Sequence, residues 1–241
     1  MEYKKMTWFF RGAIEVEEYA TGKFGAPGEK RKKREKPTPE LMEKRNQHRK
    51  EKLARRRLRK YFRKNDYLVD LTYRRDARPG NIKQAKEQFR IFLRQVRREY
   101  RKRGQELRWL RNIEVGTKGA WHIHLCINRI PETDLILADA WKHGKVYFQL
   151  MYERGEFREL AAYITKTPKT DPRLKESSYS ASRNMPLPPP DEKTYRRWKP
   201  WEKVKIPDGY YVDMDSFKEG TNPFTGRKYR IYTLLLLRQT E

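Results

Sequence analysis

Two histidines, a tyrosine and a lysine have the residue types needed for chemistry on a phosphodiester. His122 and His124 are separated by one hydrophobic residue, so on a β-strand both side chains point to the same face. Two imidazole nitrogens on one face can hold a metal ion. Tyr163 and Lys166 are three residues apart, and on a helix they share a face. The four residues together offer a metal, a nucleophile and a cation, which suits attack on a phosphate ester.

A predicted hairpin brings a third ligand to the histidines. If its two strands are symmetric about Lys118, Glu114 lies opposite His122 and Asn112 lies opposite His124, with the side chains about 5 Å apart. The carboxylate and the two imidazoles then form a ligand set with open coordination positions. Such a set permits Mn²⁺, Zn²⁺, Fe²⁺ or Mg²⁺, and phosphate chemistry favours Mg²⁺ or Mn²⁺.

Each half of this pattern also has a plainer interpretation. A histidine on a strand usually has a structural role, and Cys126, on the same face, is expected to be a small buried hydrophobe. The chain has 15 tyrosines, so a tyrosine on a helix can simply be packed. Tyr147 and Tyr152 are weaker nucleophile candidates, because neither has a lysine at helical spacing. The combination of both halves favours the metal-and-tyrosine interpretation.

Residues 65–170 have the patterns of an α+β nicking domain. The alternation of strand and helix signals gives the order β-α-β-β-α-β-α, with the strongest helix at residues 82–103. This order predicts a central antiparallel sheet with helices packed on one face, a variant of the ferredoxin-like βαββαβ fold. A last helix, predicted at about 155–167, has Tyr163 and Lys166 off its apolar stripe, where they are free to face the histidines.

Residues 1–64 are expected to form a basic DNA-binding arm and helix. The chain of 241 residues has a net charge of +26, and residues 30–64 hold 18 Lys or Arg against 4 Glu. Such a field attracts polyanions, so nucleic acid is the expected partner, with an anionic membrane surface as the runner-up. A helix is predicted at about 39–63, after a Thr-Pro start signal. Three consecutive arginines of this helix are candidate phosphate contacts: Arg55, Arg56 and Arg57.

Residues 171–241 are predicted to close on the domain through a hairpin. Residues 210–217 and 227–237 have the composition of two strands that pair with each other. Arg183, before this region, is a candidate contact to a phosphate near the tyrosine, or an ordinary loop residue. No apolar run approaches the roughly 20 residues that a membrane-spanning helix needs. The single cysteine fits a reducing cytoplasm, where we expect the protein to be located.

The combined motifs resemble the HUH endonucleases. The histidine pair resembles their histidine-hydrophobe-histidine motif, and Tyr163-x-x-Lys166 resembles their single-tyrosine motif. Asp70-Leu-Thr-Tyr73 is similar to the first motif of rolling-circle replication initiators, which implies that Thr72 lines the site. The chain looks most similar to the replication-associated proteins of Gram-positive plasmids and mobile elements, which are related to filamentous-phage gene II proteins. Shorter similar segments, such as residues 141–144 and 179–184, extend the resemblance over most of the chain.

This resemblance implies a role for each residue of the motifs. Glu114, His122 and His124 would be the metal ligands, Tyr163 the nucleophile and Lys166 a group that positions the phosphate. The nucleophile would attack single-stranded or hairpin origin DNA, form a 5′-phosphotyrosine link and release a 3′-hydroxyl. A host DNA polymerase would extend that end, with a host helicase as a further partner. A mobilisation relaxase, an HUH transposase and a non-enzymatic nucleic-acid-binding protein stay open as alternatives, and the oligomeric state is not predicted.

Overall fold

The computed structural model describes residues 2–21, 37–116, 118–151, 157–166, 174, 179–196, 201, 203–222 and 226–237. The chain divides into two units, Met1–Arg45 with Leu187–Glu241, and Asn46–Pro186. The boundary between the units falls inside helix α1 (Pro39–Tyr61). None of the helices in the described part of the chain is long and apolar enough to cross a membrane. All the predicted site residues belong to Asn46–Pro186, so this unit positions the chemistry.

The unit Asn46–Pro186 is built on a five-stranded antiparallel sheet. Its strands are β3 (Tyr67–Thr72), β4 (Trp109–Val115), β5 (Trp121–Ile127), β6 (Val146–Leu150) and β7 (Ser180–Ala181), in the spatial order β6-β3-β5-β4-β7. Its further helices are α2 (Ile82–Lys102), α3 (Thr133–Ala140) and α4 (Arg158–Thr165). Strands β3 to β6, with α2 and α3 between them, follow the ferredoxin-like βαββαβ order. The predicted α+β class is therefore confirmed.

Helices α2 and α3 cover one face of this sheet. Helix α2 begins after Asn81, whose side chain accepts a hydrogen bond from the backbone N–H of Gln84 at 2.9 Å and caps the first turn. The apolar stripe of α2 is buried at helical spacing: Ala85, Phe89, Phe92, Leu93, Val96 and Tyr100. The strand residues that alternate with the histidines pack into the same core: Trp121, Ile123, Leu125 and Ile127. The alternation therefore predicted the buried face of β5 correctly.

Helices also lie on the opposite face, which corrects the expectation that they all pack on one. Leu68, Cys126 and Leu110 lie opposite one another on β3, β5 and β4 and form an apolar row beside the histidine row. Because an apolar row must be covered, parts of α1 and α4 pack on it through Ala54, Leu58, Ala161 and Ile164, all at most 1% exposed. Cys126 is fully buried in this cluster, as expected of a small hydrophobe.

The other unit holds a second five-stranded antiparallel sheet. Its strands are β1 (Glu2–Phe10), β2 (Ala13–Thr21), β8 (Asp191–Arg196), β9 (Tyr210–Thr221) and β10 (Lys228–Leu236), in the order β8-β1-β2-β10-β9. The predicted pairing of the last two strands is confirmed. Strand β10 also pairs with β2, so the two ends of the chain contribute to one sheet.

Gly144 allows the loop before β6 to contact the end of β3. A Cβ atom at this position would lie 2.0 Å from the carbonyl oxygen of Thr72. We expect Gly144→Ala to lower the free energy of unfolding by about 1–3 kcal/mol, because backbone must move to admit the methyl group. Urea unfolding measures the change. Gly80→Ala is the matched control, since its Cβ would be 3.7 Å from the flexible Gln84 side chain. Equal losses in the two variants would show that the contact with Thr72 is not tight.

Candidate active site

His124 lies at the centre of the site because β5 pairs with a strand on each side. Its partner on β3 is Asp70 and its partner on β4 is Asn112, so the three residues form a row across the sheet. In the next row, His122 lies opposite Glu114. The hairpin register predicted from symmetry about the turn is therefore confirmed. Since side chains alternate along a strand, both histidines and their partners share one face.

Two carboxylates hold the imidazole of His124. Its Nδ1 is hydrogen-bonded to Asp70, and its Nε2 lies 3.3 Å from Oε2 of Glu114. His124 is only 9% exposed. Burial lowers the pKa of His124, but the hydrogen bonds from Asp70 and Glu114 outweigh it and raise that pKa to about 9. In turn, the hydrogen bond with His124 lowers the pKa of Glu114. The metal-free site therefore holds a cationic imidazole between two anions.

The hydroxyl of Tyr163 reaches this imidazole from helix α4. It lies 2.8 Å from Nδ1 and 3.1 Å from Nε2 of His124. The helix is fixed by Ala161 and Ile164, which are buried against the sheet, while Tyr163 lies beside them and is 39% exposed. Burial raises the pKa of Tyr163, and the negative charges of Asp70 and Glu114 raise it further. The structure thus brings the predicted tyrosine to the predicted histidine and keeps the phenol neutral.

Lys166 is placed differently from the helical spacing that predicted it. Helix α4 ends at Thr165, and Lys166 is the first residue beyond it, so the shared helix face with Tyr163 is not formed. The backbone carbonyl of Lys166 accepts a hydrogen bond from the Asn112 side chain at 2.8 Å, which ties the end of α4 to β4. Its side chain is exposed, and its ammonium charge adds to the lowering of the pKa of Glu114.

Asp70 and Asn112 had no role predicted from the sequence, although both lie beside His124. Asp70 alternates with Leu68 and Thr72 on β3, and only the non-local pairing of β3 with β5 places it opposite the histidine. Asn112 was predicted to lie opposite His124, but its tie to the end of α4 could not be read from the hairpin. The missing signal in both cases is a contact between segments far apart in sequence.

The three predicted metal ligands share a face, and their chemistry fits a divalent cation. The His122 and His124 rings are nearly parallel, with centroids 6.4 Å apart. Among the residues that the structure describes, no three His, Cys, Asp or Glu side chains are gathered as a formed metal site. Within the same residues, Asn112 Oδ1, in the His124 row, is buried without a hydrogen-bond partner. Two imidazoles, a carboxylate and this free acceptor are the types of atom that Mg²⁺ or Mn²⁺ binds.

Of the other predicted residues, Thr72 is engaged with a neighbouring strand. Its hydroxyl donates to the carbonyl of Lys145 at 3.1 Å and lies 3.2 Å from the Lys145 backbone N–H. Tyr147 lies opposite Asp70 on the edge strand β6 and is 54% exposed. Tyr152 lies outside the described residues. A contact of Thr72 with DNA stays a prediction.

The arginines predicted to contact DNA are distributed over two other places. Arg183 follows β7 and lines a cavity in which neither Tyr163 nor His124 takes part. Arg55 and Arg57 are partly exposed on α1, whereas Arg56 is 5% exposed and therefore turned away from solvent. Their contacts with DNA stay predictions.

The titration of His124 tests the charge arrangement directly. Its pKa in the folded protein, about 9, is above the ordinary value of 6.5. The imidazolium therefore stabilises the metal-free fold fully below about pH 6.5, and this contribution is lost as the pH rises through about 9. We expect an NMR titration in the presence of a chelator to give a midpoint near 9, and Asp70→Asn to lower it. His143, whose pKa is lowered by burial and by Arg74, is the internal control. A His124 midpoint that Asp70→Asn leaves in place would contradict the assigned pairing.

A comparison with protein families identifies the segment that carries this site. Residues 66–168 match the family model of the replication-associated proteins that are described by ORF2 and the phage gene II protein. The match covers a little less than half of the chain and contains Asp70, Glu114, His124 and Tyr163. No curated protein and no solved structure gives a significant match to the chain. The α+β unit with the histidine row and the facing tyrosine therefore belongs to this replication-associated protein family, whose members are related to phage gene II protein.

Proposed function

We propose that the chain is a DNA-nicking and strand-transfer enzyme that initiates rolling-circle replication through a covalent link to Tyr163. The observation that carries the proposal is the hydroxyl of Tyr163 at 2.8 Å from His124 Nδ1, in a row that also contains Asp70. A tyrosine held against a histidine and two carboxylates on an open sheet face is arranged for chemistry rather than for packing. The family match supports replication as the process and DNA as the substrate.

In the proposed step, Oη of Tyr163 attacks a phosphorus atom of single-stranded or hairpin origin DNA. The Oη–H proton leaves as the Oη–P bond forms. The P–O3′ bond breaks, and the 3′ oxygen takes up a proton and becomes a free hydroxyl. The 5′ end stays on the protein as a phosphotyrosine ester. A host polymerase, acting with a host helicase, extends the free 3′ end, and attack of a 3′-hydroxyl on the ester later joins the strand. On this proposal the reaction takes place in the cytoplasm, where these partners act.

Glu114, His122 and His124 would hold a divalent metal ion at this site. A bound Mg²⁺ or Mn²⁺ supplies Lewis-acid polarisation of a phosphate oxygen. Asp70 has a different role: it accepts a hydrogen bond from Nδ1 of His124 and thereby leaves Nε2, on the Glu114 side, as the metal-binding nitrogen. Asp70 is thus proposed as a positioning residue that fixes the tautomer and the ring orientation of His124.

The charges around Tyr163 explain why the chemistry needs a cation. The carboxylates of Asp70 and Glu114 raise the pKa of the phenol and oppose a phenolate in the metal-free protein. Positive charge beside the carboxylates cancels that opposition, because a cation favours the anionic form of a neighbouring group. The exposed ammonium of Lys166, near Glu114, is suited to bind a non-bridging phosphate oxygen as a compact point charge.

The covalent link is tested with a labelled single-stranded oligonucleotide, MnCl₂ and denaturing electrophoresis. We expect the wild-type chain to form a protein–DNA adduct and Tyr163→Phe to reduce it by at least about 10³-fold, since the nucleophile is lost. Tyr147→Phe, which removes a hydroxyl from the same sheet face, is the matched control and should retain the adduct. An adduct in Tyr163→Phe would assign the nucleophile elsewhere. The absence of an adduct from wild-type protein on every origin-like DNA would favour a protein that only binds nucleic acid.

The ligand set is tested by Mn²⁺ binding, followed by electron paramagnetic resonance without DNA. We expect His124→Ala and Glu114→Ala each to weaken binding by at least about 10-fold, because each removes a ligand or its partner. His48→Ala, which removes an exposed histidine of α1, should bind Mn²⁺ as the wild type does. Because the readout does not involve nicking, unchanged binding in both site variants would reject these ligands whatever the activity of the chain.

A further inference from the structure

A second cavity of about 540 Å³ lies in the unit Asn46–Pro186, away from Tyr163. It is formed where the C-terminal end of α2 meets the start of β4 and the turn after β7. The residues that matter for its chemistry are Arg97, Arg101, Trp109, Ser182 and Arg183. Its lining contains none of the residues of the His124 row. Trp109 packs on Phe89 of α2, with ring centroids 5.4 Å apart, so the cavity belongs to the α2 side of the sheet.

The charge of the cavity is unbalanced toward the positive. Arg97, Arg101 and Arg183 contribute three guanidinium groups, and within the described part of the chain none of them has a carboxylate partner. Glu106, the one acidic residue among the described lining residues, is already paired with Arg108 at 2.6 Å. Three guanidiniums that converge without an anion repel one another. An anionic ligand in the cavity removes this repulsion.

A second observation, independent of charge, also indicates an acceptor ligand. Trp109 is 8% exposed, and its indole Nε1–H is buried without a hydrogen-bond partner among the described residues. A buried N–H group without an acceptor costs about 1–3 kcal/mol, so native structures rarely leave one. A phosphate oxygen in the cavity accepts such a hydrogen bond, and guanidinium groups bind phosphate in a bidentate manner.

We propose that this cavity binds a backbone phosphate of the DNA strand a few nucleotides from the phosphate attacked by Tyr163. This inference rests on the proposed function. Along β4, Trp109 lies three residues before Asn112, which is about 10 Å from the His124 row. At about 3.4 Å for each nucleotide of a duplex strand, that length corresponds to roughly three nucleotides. The cavity thus sets where the strand leaves the site, and it acts on affinity and register rather than on the chemical step.

The test measures the salt dependence of DNA binding in the Tyr163→Phe background, which prevents covalent capture. The probe is a fluorescein-labelled oligothymidylate of about 20 nucleotides, longer than the single-strand site of one small domain. We expect Arg97→Gln, Arg101→Gln and Arg183→Gln each to reduce the slope of log Kobs against log[NaCl] by about 0.7, the value for one contact to single-stranded DNA. Arg94→Gln is the matched control: it makes the same charge change on the same helix but lies outside the cavity. Trp109→Phe, which keeps a ring and removes the N–H, should weaken binding without changing the slope.

The possible outcomes separate this inference from the proposed nicking activity. Circular dichroism and thermal unfolding check that each variant is folded, and the substitutions of the three exposed arginines should not change either. If the cavity variants keep the slope and affinity of Arg94→Gln, the cavity does not hold DNA and the inference is wrong. The adduct assay on protein with Tyr163 intact is independent. If the cavity variants reduce the slope and no adduct forms, the binding site stands and the nicking function falls.

Discussion

The site depends on one constraint, the antiparallel pairing of β5 with β3 and β4 at the same time. That pairing places His124 between Asp70 and Asn112, with Glu114 in the neighbouring row. Because side chains alternate along a strand, a slip of one residue would turn the histidines into the α2 core and bring apolar residues to the open face. The register is fixed by the apolar side chains on the buried face, where Ile123 and Leu125 are completely buried. The hydrophobic core on one face thus determines the chemistry on the other.

The position of Tyr163 follows from a second set of contacts, on the histidine face itself. Ala161 and Ile164 hold α4 against the apolar row of the sheet, and the Asn112 side chain holds the backbone at the end of the helix. Asn112 therefore links the strand that carries the metal-type ligands to the helix that carries the phenol. A helix of eight residues has little intrinsic stability, so these contacts, rather than helix propensity, hold the hydroxyl within hydrogen-bond distance of His124.

The sequence predicts the features of the site that depend on local spacing. The strand parity of His122 and His124, their hairpin register with Glu114 and the buried stripe of α2 all follow from patterns within a single hairpin or helix. Asp70 could not be assigned, because its position opposite His124 depends on the pairing of residues that are 54 positions apart in sequence. The end of α4 before Lys166 was also missed, since it is set by the contact with Asn112 rather than by a helix stop signal. Helices on both faces were missed for a related reason: the apolar row of Leu68, Leu110 and Cys126 is visible only after three strands are aligned.

The distribution of charge in the chain separates attraction of DNA from reaction with it. The net charge of +26 draws a polyanion to the protein, but the immediate surroundings of Tyr163 contain the carboxylates of Asp70 and Glu114. A phosphate that approaches the tyrosine is therefore repelled locally, unless positive charge is bound between those carboxylates. On the proposed function, affinity must come from basic groups away from the reacting centre, such as Arg97 and Arg101 beside α2. Reactivity then depends on occupation of the carboxylate-rich centre by a cation. Binding without metal and cleavage with metal follow from this separation, because binding strength and transition-state stabilisation are located in different parts of the same sheet.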